Sequence, residues 1–249
     1  MYTTERTKIR PSRWSKEKQH YQPIRFTPYW LFFFLSWVSL PPTFVAAHPH
    51  VFVNAQVAIR LNEHNEIIEL EQNWLFDPIF SAGVTLDFDK NHDRILDKDE
   101  LATVAETIKT SLKEYHYFQS LKVDGEDIKI DPPTTLTAIM QNKRLSIHFS
   151  IAPKKTIKID KNHHYRFSIY DPTFFVAVDF PKPQNFILMP LPSFCEMKMI
   201  KPDENETLTD DLANLTEDFF TDGEQSLKLA QSLATYLDVS CKSQTKSKK

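Results

Sequence analysis

Hydrophobic and polar residues alternate in the segment HVFVNAQVAIRL, residues 50–61, where valine or alanine occupies every second position up to residue 57. A period of two is typical of a β-strand with one buried face. A polar stretch at residues 63–65 separates this segment from a second apolar run at residues 67–76. The pattern therefore predicts a β-hairpin.

The period changes after residue 76. Asp77 and Pro78 are typical of a helix start, with aspartate as the N-cap and proline at the first helical position, and they predict a short helix to Leu86. A second helix is expected from Asp97, because apolar residues then recur at helical spacing. These residues are Leu101, Val104, Ala105, Ile108, Leu112 and Tyr115. Residues 77–118 are therefore expected to form a helix-loop-helix insertion.

Strand patterns return at residue 121. A hairpin is predicted around the turn at Asp124-Gly125, a strand at residues 144–151, and two short strands divided at Asp171-Pro172. Residues 201–249 then predict an acidic linker, an amphipathic helix at about 224–237 and a disordered tail. The expected fold class is α+β and β-rich, with antiparallel strands in a sandwich-like arrangement, an EF-hand-like insertion and a C-terminal helix.

The N-terminus has the pattern of a secretory signal peptide. Residues 1–26 carry a net charge of +5, twelve uncharged residues follow at 29–40, and small residues stand at Val45 and Ala47. Cleavage after Ala47 would leave a periplasmic protein of 202 residues that begins at His48, with a β-rich metal-binding domain at 48–200. A retained membrane anchor is the alternative, although two prolines interrupt the apolar stretch.

Charge and composition exclude several classes of function. The whole chain has a net charge of −3 and the predicted signal peptide one of +5, so the mature protein would have a net charge of −8. A negative charge of this size argues against a nucleic-acid partner and favours cations as ligands. Three glycines in the whole chain argue against a glycine-rich phosphate loop. No nucleophilic triad or pair of catalytic carboxylates stands out, so the protein is not expected to be an enzyme.

The two cysteines, Cys195 and Cys241, both lie in the exported portion. In an oxidising compartment they predict one disulfide, worth about 3–4 kcal/mol in the loop-entropy model. Two free buried thiols, or a two-cysteine metal site, are the alternatives.

The segment DKNHDRILDKDEL, residues 89–101, fits the twelve-residue calcium loop of an EF-hand. Arg94 occupies the sixth position, where glycine is usual because the turn needs a positive φ, and this departure is expected to weaken calcium binding. Leu96 is expected to pack beneath the loop. A helix connector without metal is the alternative. The expected oxygen ligands come from Asp89, Asn91, Asp93, Ile95, Asp97 and Glu100.

His48 and His50 flank Pro49 at the predicted mature N-terminus. A terminal His48 carries an amine and an imidazole, and both can bind Zn²⁺, Cu²⁺, Ni²⁺ or Co²⁺. Pro49 excludes the copper motif that uses a deprotonated backbone amide, because proline has no N–H. Further ligands must therefore come from elsewhere. The candidates are His148, His163, His164 and Asp171, and an N-terminal histidine that binds nothing is the alternative.

Several motifs occur together in a fixed order. They are HPHVFV, the segment from Trp74 to Ser81, the EF-hand-like loop, YHYF, VDG and YDPTFFV. In this the chain resembles the ZevA-type family of periplasmic proteins, often labelled as ABC-type transport periplasmic components. The resemblance covers residues 48 to about 200 and implies a role in transition-metal uptake beside an inner-membrane permease of nickel/cobalt type.

The expected function is therefore transition-metal binding in the periplasm, in support of zinc or nickel/cobalt uptake by that permease. A calcium-stabilised structural or interaction module, with incidental histidines, is the alternative. A copper enzyme built on the N-terminal histidine is a third reading, for which the sequence offers no substrate platform.

Overall fold

The computed structural model describes residues 49–202 and 223–242 of the 249-residue chain. The chain divides into two units, residues 1–45 and 46–249, and every described residue belongs to the second. The predicted signal peptide and its cleavage site, His48, most of the predicted acidic linker and the predicted tail lie outside the described residues.

The described part of the chain is a strand-rich mixture of α and β structure. Its strands are β1 Val51–Leu61, β2 Ile67–Phe76, β3 Gln119–Val123, β4 Glu126–Asp127, β5 Ile130–Asp131, β6 Leu136–Gln141, β7 Arg144–Pro153, β8 His164–Ile169, β9 Val176–Asp179, β10 Phe186–Met189, β11 Cys195–Ile200 and β12 Tyr236–Cys241. Its helices are α1 Pro78–Phe88, α2 Lys98–Lys113 and α3 Gly223–Leu233, with 3₁₀ turns at His116–Phe118 and Pro183–Asn185. Among these described helices, none is long and apolar enough to cross a membrane.

The larger sheet has seven strands, built around the hairpin of β1 and β2. Its order is β10-β1-β2-β7-β5, with β6 also paired to β7 and β9 also paired to β1. The alternation read from residues 50–61 is confirmed, because Val51, Val53, Ala55 and Val57 are buried while the residues between them face outward. The antiparallel pairing of β1 with β2 confirms the predicted hairpin.

The smaller sheet has the order β11-β12-β8-β3-β4, and all its pairs are antiparallel. Cys195 on β11 lies directly opposite Cys241 on β12, and the two form the predicted disulfide. The bond therefore joins an edge strand to the strand next to it.

The two helices of the insertion begin as expected. Asp77 caps α1 by accepting hydrogen bonds from the N–H groups of Ile79 and Phe80, and Asp97 caps α2 in a capping box with Glu100. The helix α1 contacts β7 and the helix α2 contacts β6 of the larger sheet. Buried residues from both sheets and both helices belong to one hydrophobic cluster.

A buried glutamine and a tryptophan connect the two sheets. The Gln72 side chain on β2 donates a 3.1 Å hydrogen bond to Gln119 on β3 and accepts one from the indole N–H of Trp74. The Trp74 ring lies parallel to Phe118, with 6.1 Å between centroids, and meets Phe149 edge-on. These contacts hold the polar amide of Gln72 inside the core with its hydrogen bonds satisfied.

Two expectations are corrected by the pairing. The strands are not all antiparallel, because β9 and β10 pair in parallel with the same edge of β1. The helix expected at about 224–237 ends at Leu233, and residues 236–241 form β12. Leu237 and Val239 are buried as strand residues, and β12 lies between β8 and β11.

Candidate functional site

His50 lies where β1 begins, against the turn that precedes β9. The carbonyl of Phe175 accepts hydrogen bonds from the N–H groups of His50 and Val51, at 3.0 and 3.1 Å. The imidazole of His50 packs on the Phe175 ring, with 5.1 Å between centroids. The backbone of His50 is therefore fixed while its side chain stays exposed to solvent.

Asp171 shapes the turn that holds Phe175 in place. Its Oδ1 accepts hydrogen bonds from the N–H and the hydroxyl of Thr173, and its Oδ2 accepts one from the N–H of Val176. The side chain is buried, and Phe174 in the same turn has a φ of 59°. The turn thus brings the predicted ligand Asp171 to the His50 segment, with both carboxylate oxygens already engaged as acceptors.

Asp77 connects the start of β1 to the start of α1. Besides capping the helix, its Oδ2 accepts a 2.9 Å hydrogen bond from the N–H of Phe52, and its own N–H donates to the Phe52 carbonyl. Burial alone would raise the pKa of Asp77, but the hydrogen bonds from the N–H groups of Phe52, Phe80 and Ile79 outweigh it, and the pKa lies below its ordinary value. An ionised Asp77 therefore fixes the strand two residues after His50.

His148 lies on the outward face of β7, away from His50. Strand register places it opposite Asn73, which is opposite Gln56, six residues beyond His50 along β1. At about 3.3 Å per residue, the two imidazoles are about 20 Å apart along the strands. His148 lines instead a polar cleft of about 590 Å³ on the outer face of the larger sheet, and its Nε2 lies 3.4 Å from the hydroxyl of Ser146.

His163 is at the opposite end of β8 from the Asp171 turn. The six residues of β8 separate the two by about 20 Å. The Nδ1 of His163 lies 2.8 Å from Asp160, and its Nε2 lies 3.9 Å from Asp124. The hydrogen bond to Asp160 and the charges of both carboxylates raise the pKa of His163 above its ordinary value. The neighbouring His164 pairs with Asp238 at 2.8 Å.

The acidic loop at residues 89–100 wraps its side chains around its own backbone. The carboxylate of Asp89 accepts hydrogen bonds from the N–H groups of Asp93 and Arg94, and that of Glu100 accepts from those of Lys90 and Asp97. Asp89 and Glu100 are both buried.

Exposed side chains of the loop make two further hydrogen bonds to its backbone. Asn91 accepts a hydrogen bond from the N–H of Asp93, and Asp93 accepts one from the N–H of Ile95. Arg94 has a φ of 66°, the positive value expected at its position in the loop. The side chain of Leu96 is buried. The oxygen-bearing side chains of the loop therefore surround one stretch of backbone.

No group of three or more His, Cys, Asp or Glu side chains has the arrangement of a metal site within residues 49–202 and 223–242. Of the predicted transition-metal ligands, His50 and Asp171 lie in neighbouring segments, while His148 and His163 lie elsewhere and His48 is outside the described residues. The sequence reading missed Phe175, the contact that anchors His50. Its signal was the YDPTFFV motif, which contains both Asp171 and Phe175.

Comparison with known proteins adds a relative and a family. An uncharacterized protein of Haemophilus influenzae is 25% identical over 166 residues, which cover 66% of this chain and 78% of that protein. Among solved structures, Capitella teleta AChBP in complex with lobeline matches 87% of this chain and 95% of that chain at 11% identity, with a TM-score of 0.29, which is too low to indicate a shared fold. The model of the family described as "Protein of unknown function (DUF1007)" matches residues 33–241. Because this match covers most of the chain, the protein belongs to the DUF1007 family.

Proposed function

We propose that this protein is exported to the periplasm and there binds a transition-metal ion, Zn²⁺ or alternatively Ni²⁺, Co²⁺ or Cu²⁺, through its N-terminal histidines. It then supplies the metal to an inner-membrane permease of nickel/cobalt type, the ZevA-type role that its motifs imply. The observation that carries the proposal is the anchoring of His50, whose backbone is held by Phe175 while its imidazole stays at the surface.

Anchoring matters because a ligand held in one place loses less freedom when metal binds. Cleavage after Ala47 would add the amine and the imidazole of His48, joined to His50 through Pro49, whose ring fixes φ. These three nitrogens leave at least one position on the metal for water or for a group of the permease. An open site of this kind suits a metal that must be passed on.

Asp171 supports the site by shaping the turn that carries Phe175. A direct bond from Asp171 to the metal would compete with the hydrogen bonds that its two oxygens accept. His148 and His163, about 20 Å away from this segment along the strands, would serve as separate surface ligands.

The acidic loop is proposed as a structural calcium site within an EF-hand-like insertion on a sandwich-like β core. Support comes from the positive φ of Arg94, the buried Leu96 and the buried carboxylates of Asp89 and Glu100. Calcium would take over oxygens that now accept N–H groups, with the carbonyl of Ile95 as a further ligand. If the histidines bind no metal, this calcium-stabilised module is the alternative function.

Zinc titration against a chromophoric chelator, on the protein processed to begin at His48, tests the proposal. His50→Ala should weaken zinc binding at least about tenfold, because losing even a group that only supports a ligand costs about 10–100-fold. His64→Ala is the matched control, since it removes an exposed histidine from the hairpin turn. Equal affinities of the two variants would contradict the proposal. Absence of zinc binding with a calcium-dependent rise in melting temperature would favour the alternative.

A further inference from the structure

A cavity of about 360 Å³ lies between the helices α1 and α2 and the inner face of the larger sheet. Buried side chains of Trp74, Val104 and Phe118 form its floor, and Phe80 and Phe88 of α1 contribute to its wall. Protein interiors are close-packed and contain few voids larger than a water molecule. The space between these two helices and the sheet is therefore larger than an ordinary packing void.

The mouth of the cavity differs from its interior. The polar residues that line it, Asp87, Thr107 and Ser111, are exposed and lie on the two helices, and Phe175 borders it from the turn before β9. The cavity thus offers an apolar interior with a polar, acidic rim. This is the usual composition of a small-molecule site, in which a few polar groups orient a largely apolar ligand.

We infer that this cavity binds the alkyl chain of a small amphiphile with a neutral or cationic head group. An apolar cavity of 150 Å³ takes up one benzene, so this cavity has room for a ligand roughly twice that size, such as a medium-length alkyl chain. The interior offers no polar partner to a buried head group, which must stay at the rim.

The rim sets the charge of the head group. Asp87 is a carboxylate, and the hydroxyls of Thr107 and Ser111 donate and accept hydrogen bonds without charge. A carboxylate or phosphate head group would face repulsion from Asp87, whereas an alcohol or an ammonium group would not. The inference does not depend on metal binding at His50, and either can fail without the other.

Fluorescence of N-phenyl-1-naphthylamine, a neutral apolar dye, tests the inference with the purified full chain. The dye should bind saturably, and decanol and decylamine should displace it at concentrations at least fivefold below decanoate. Val104→Phe places a ring in the cavity and should weaken dye binding at least tenfold. Val84→Phe, on the facing helix α1, should also weaken dye binding at least tenfold. This second variant tests the inference if Val104→Phe does not fold.

Thr103→Phe is the matched control, because it adds the same ring to an exposed position of α2 that does not line the cavity. Its dye affinity should stay within twofold of the unaltered protein, and thermal melting followed by circular dichroism should show that each variant is folded. Absence of saturable dye binding would overturn the inference. Binding that survives both cavity-filling substitutions, or displacement by decanoate as effective as by decanol, would also overturn it.

Discussion

Replacing Asp77 should loosen the start of β1 and the start of α1 together. In Asp77→Ala, the N–H groups of Ile79, Phe80 and Phe52 all lose their acceptor. In Asp77→Asn, the amide oxygen can still cap the helix, because asparagine is a good N-cap, but the amide nitrogen replaces the oxygen that accepts from Phe52. The two variants therefore separate the cap from the link to the strand.

The expected cost follows from these contacts. Loss of an N-cap costs about 1 kcal/mol. A hydrogen bond to a charged group is worth about 1.5–3 kcal/mol, and about 1 kcal/mol is expected for the bond from Phe52 because water reaches this exposed site. Asp77→Ala should thus lower the free energy of unfolding by about 2 kcal/mol, and Asp77→Asn by about 1 kcal/mol.

Urea unfolding of the two variants and the unaltered protein at several pH values is the assay. Because folding lowers the pKa of Asp77, its ionised form stabilises the protein fully above the ordinary aspartate pKa of about 3.9, and this contribution is lost as the pH falls through the lower folded value. The difference between the unaltered protein and Asp77→Asn should therefore shrink below about pH 4. Equal destabilisation by the two substitutions, or a difference that persists at low pH, would refute this reasoning.

Three further predictions concern other parts of the molecule. Reducing the disulfide between β11 and β12 should lower the free energy of unfolding by about 3–4 kcal/mol in urea titrations, and a change below about 1 kcal/mol would argue against a stabilising role. Calcium at about 100 times its dissociation constant should stabilise the protein by about 2.7 kcal/mol, an effect that Glu100→Gln removes and the exposed neighbouring variant Asp99→Asn retains. In an NMR titration, Asp160→Asn should lower the pKa of His163, because the hydrogen bond and the charge of the Asp160 carboxylate raise that pKa. An unchanged pKa would show that Asp160 does not raise it.

Local patterns in the sequence predicted the central hairpin and both helices of the insertion. The alternation in residues 51–57 matched the buried face of β1, and Asp77-Pro78 marked the start of α1 correctly. These elements depend on signals within a few residues of one another. Such signals are readable because the period of the hydrophobic pattern and the cap are both local properties.

Elements that depend on distant partners were harder to predict. β10 pairs in parallel with β1 from more than one hundred residues away, and nothing in its own four residues indicates that partner. Leu237 follows Leu233 by four residues, a helical spacing, yet it lies in β12, where pairing with β8 and β11 overrides the local pattern.

In the candidate site too, local features could be predicted from the sequence and long-range ones could not. The two histidines around Pro49 and the positive φ of Arg94 were readable from the sequence. The separation of His148 and His163 from His50 was not, because it depends on strand register and on which end of β8 faces the N-terminal segment. The anchoring of His50 by Phe175 likewise results from the parallel pairing of β1 with β9.

The most direct test of the proposed metal site compares zinc binding by the protein that begins at His48 with a variant carrying one additional N-terminal alanine. The extension keeps both imidazoles and converts the amine of His48 into a peptide nitrogen, which no longer binds zinc. We predict that the extension weakens zinc affinity at least about tenfold, because it removes a direct ligand and losing even a supporting group costs that much. Equal affinity in the two proteins would contradict the account.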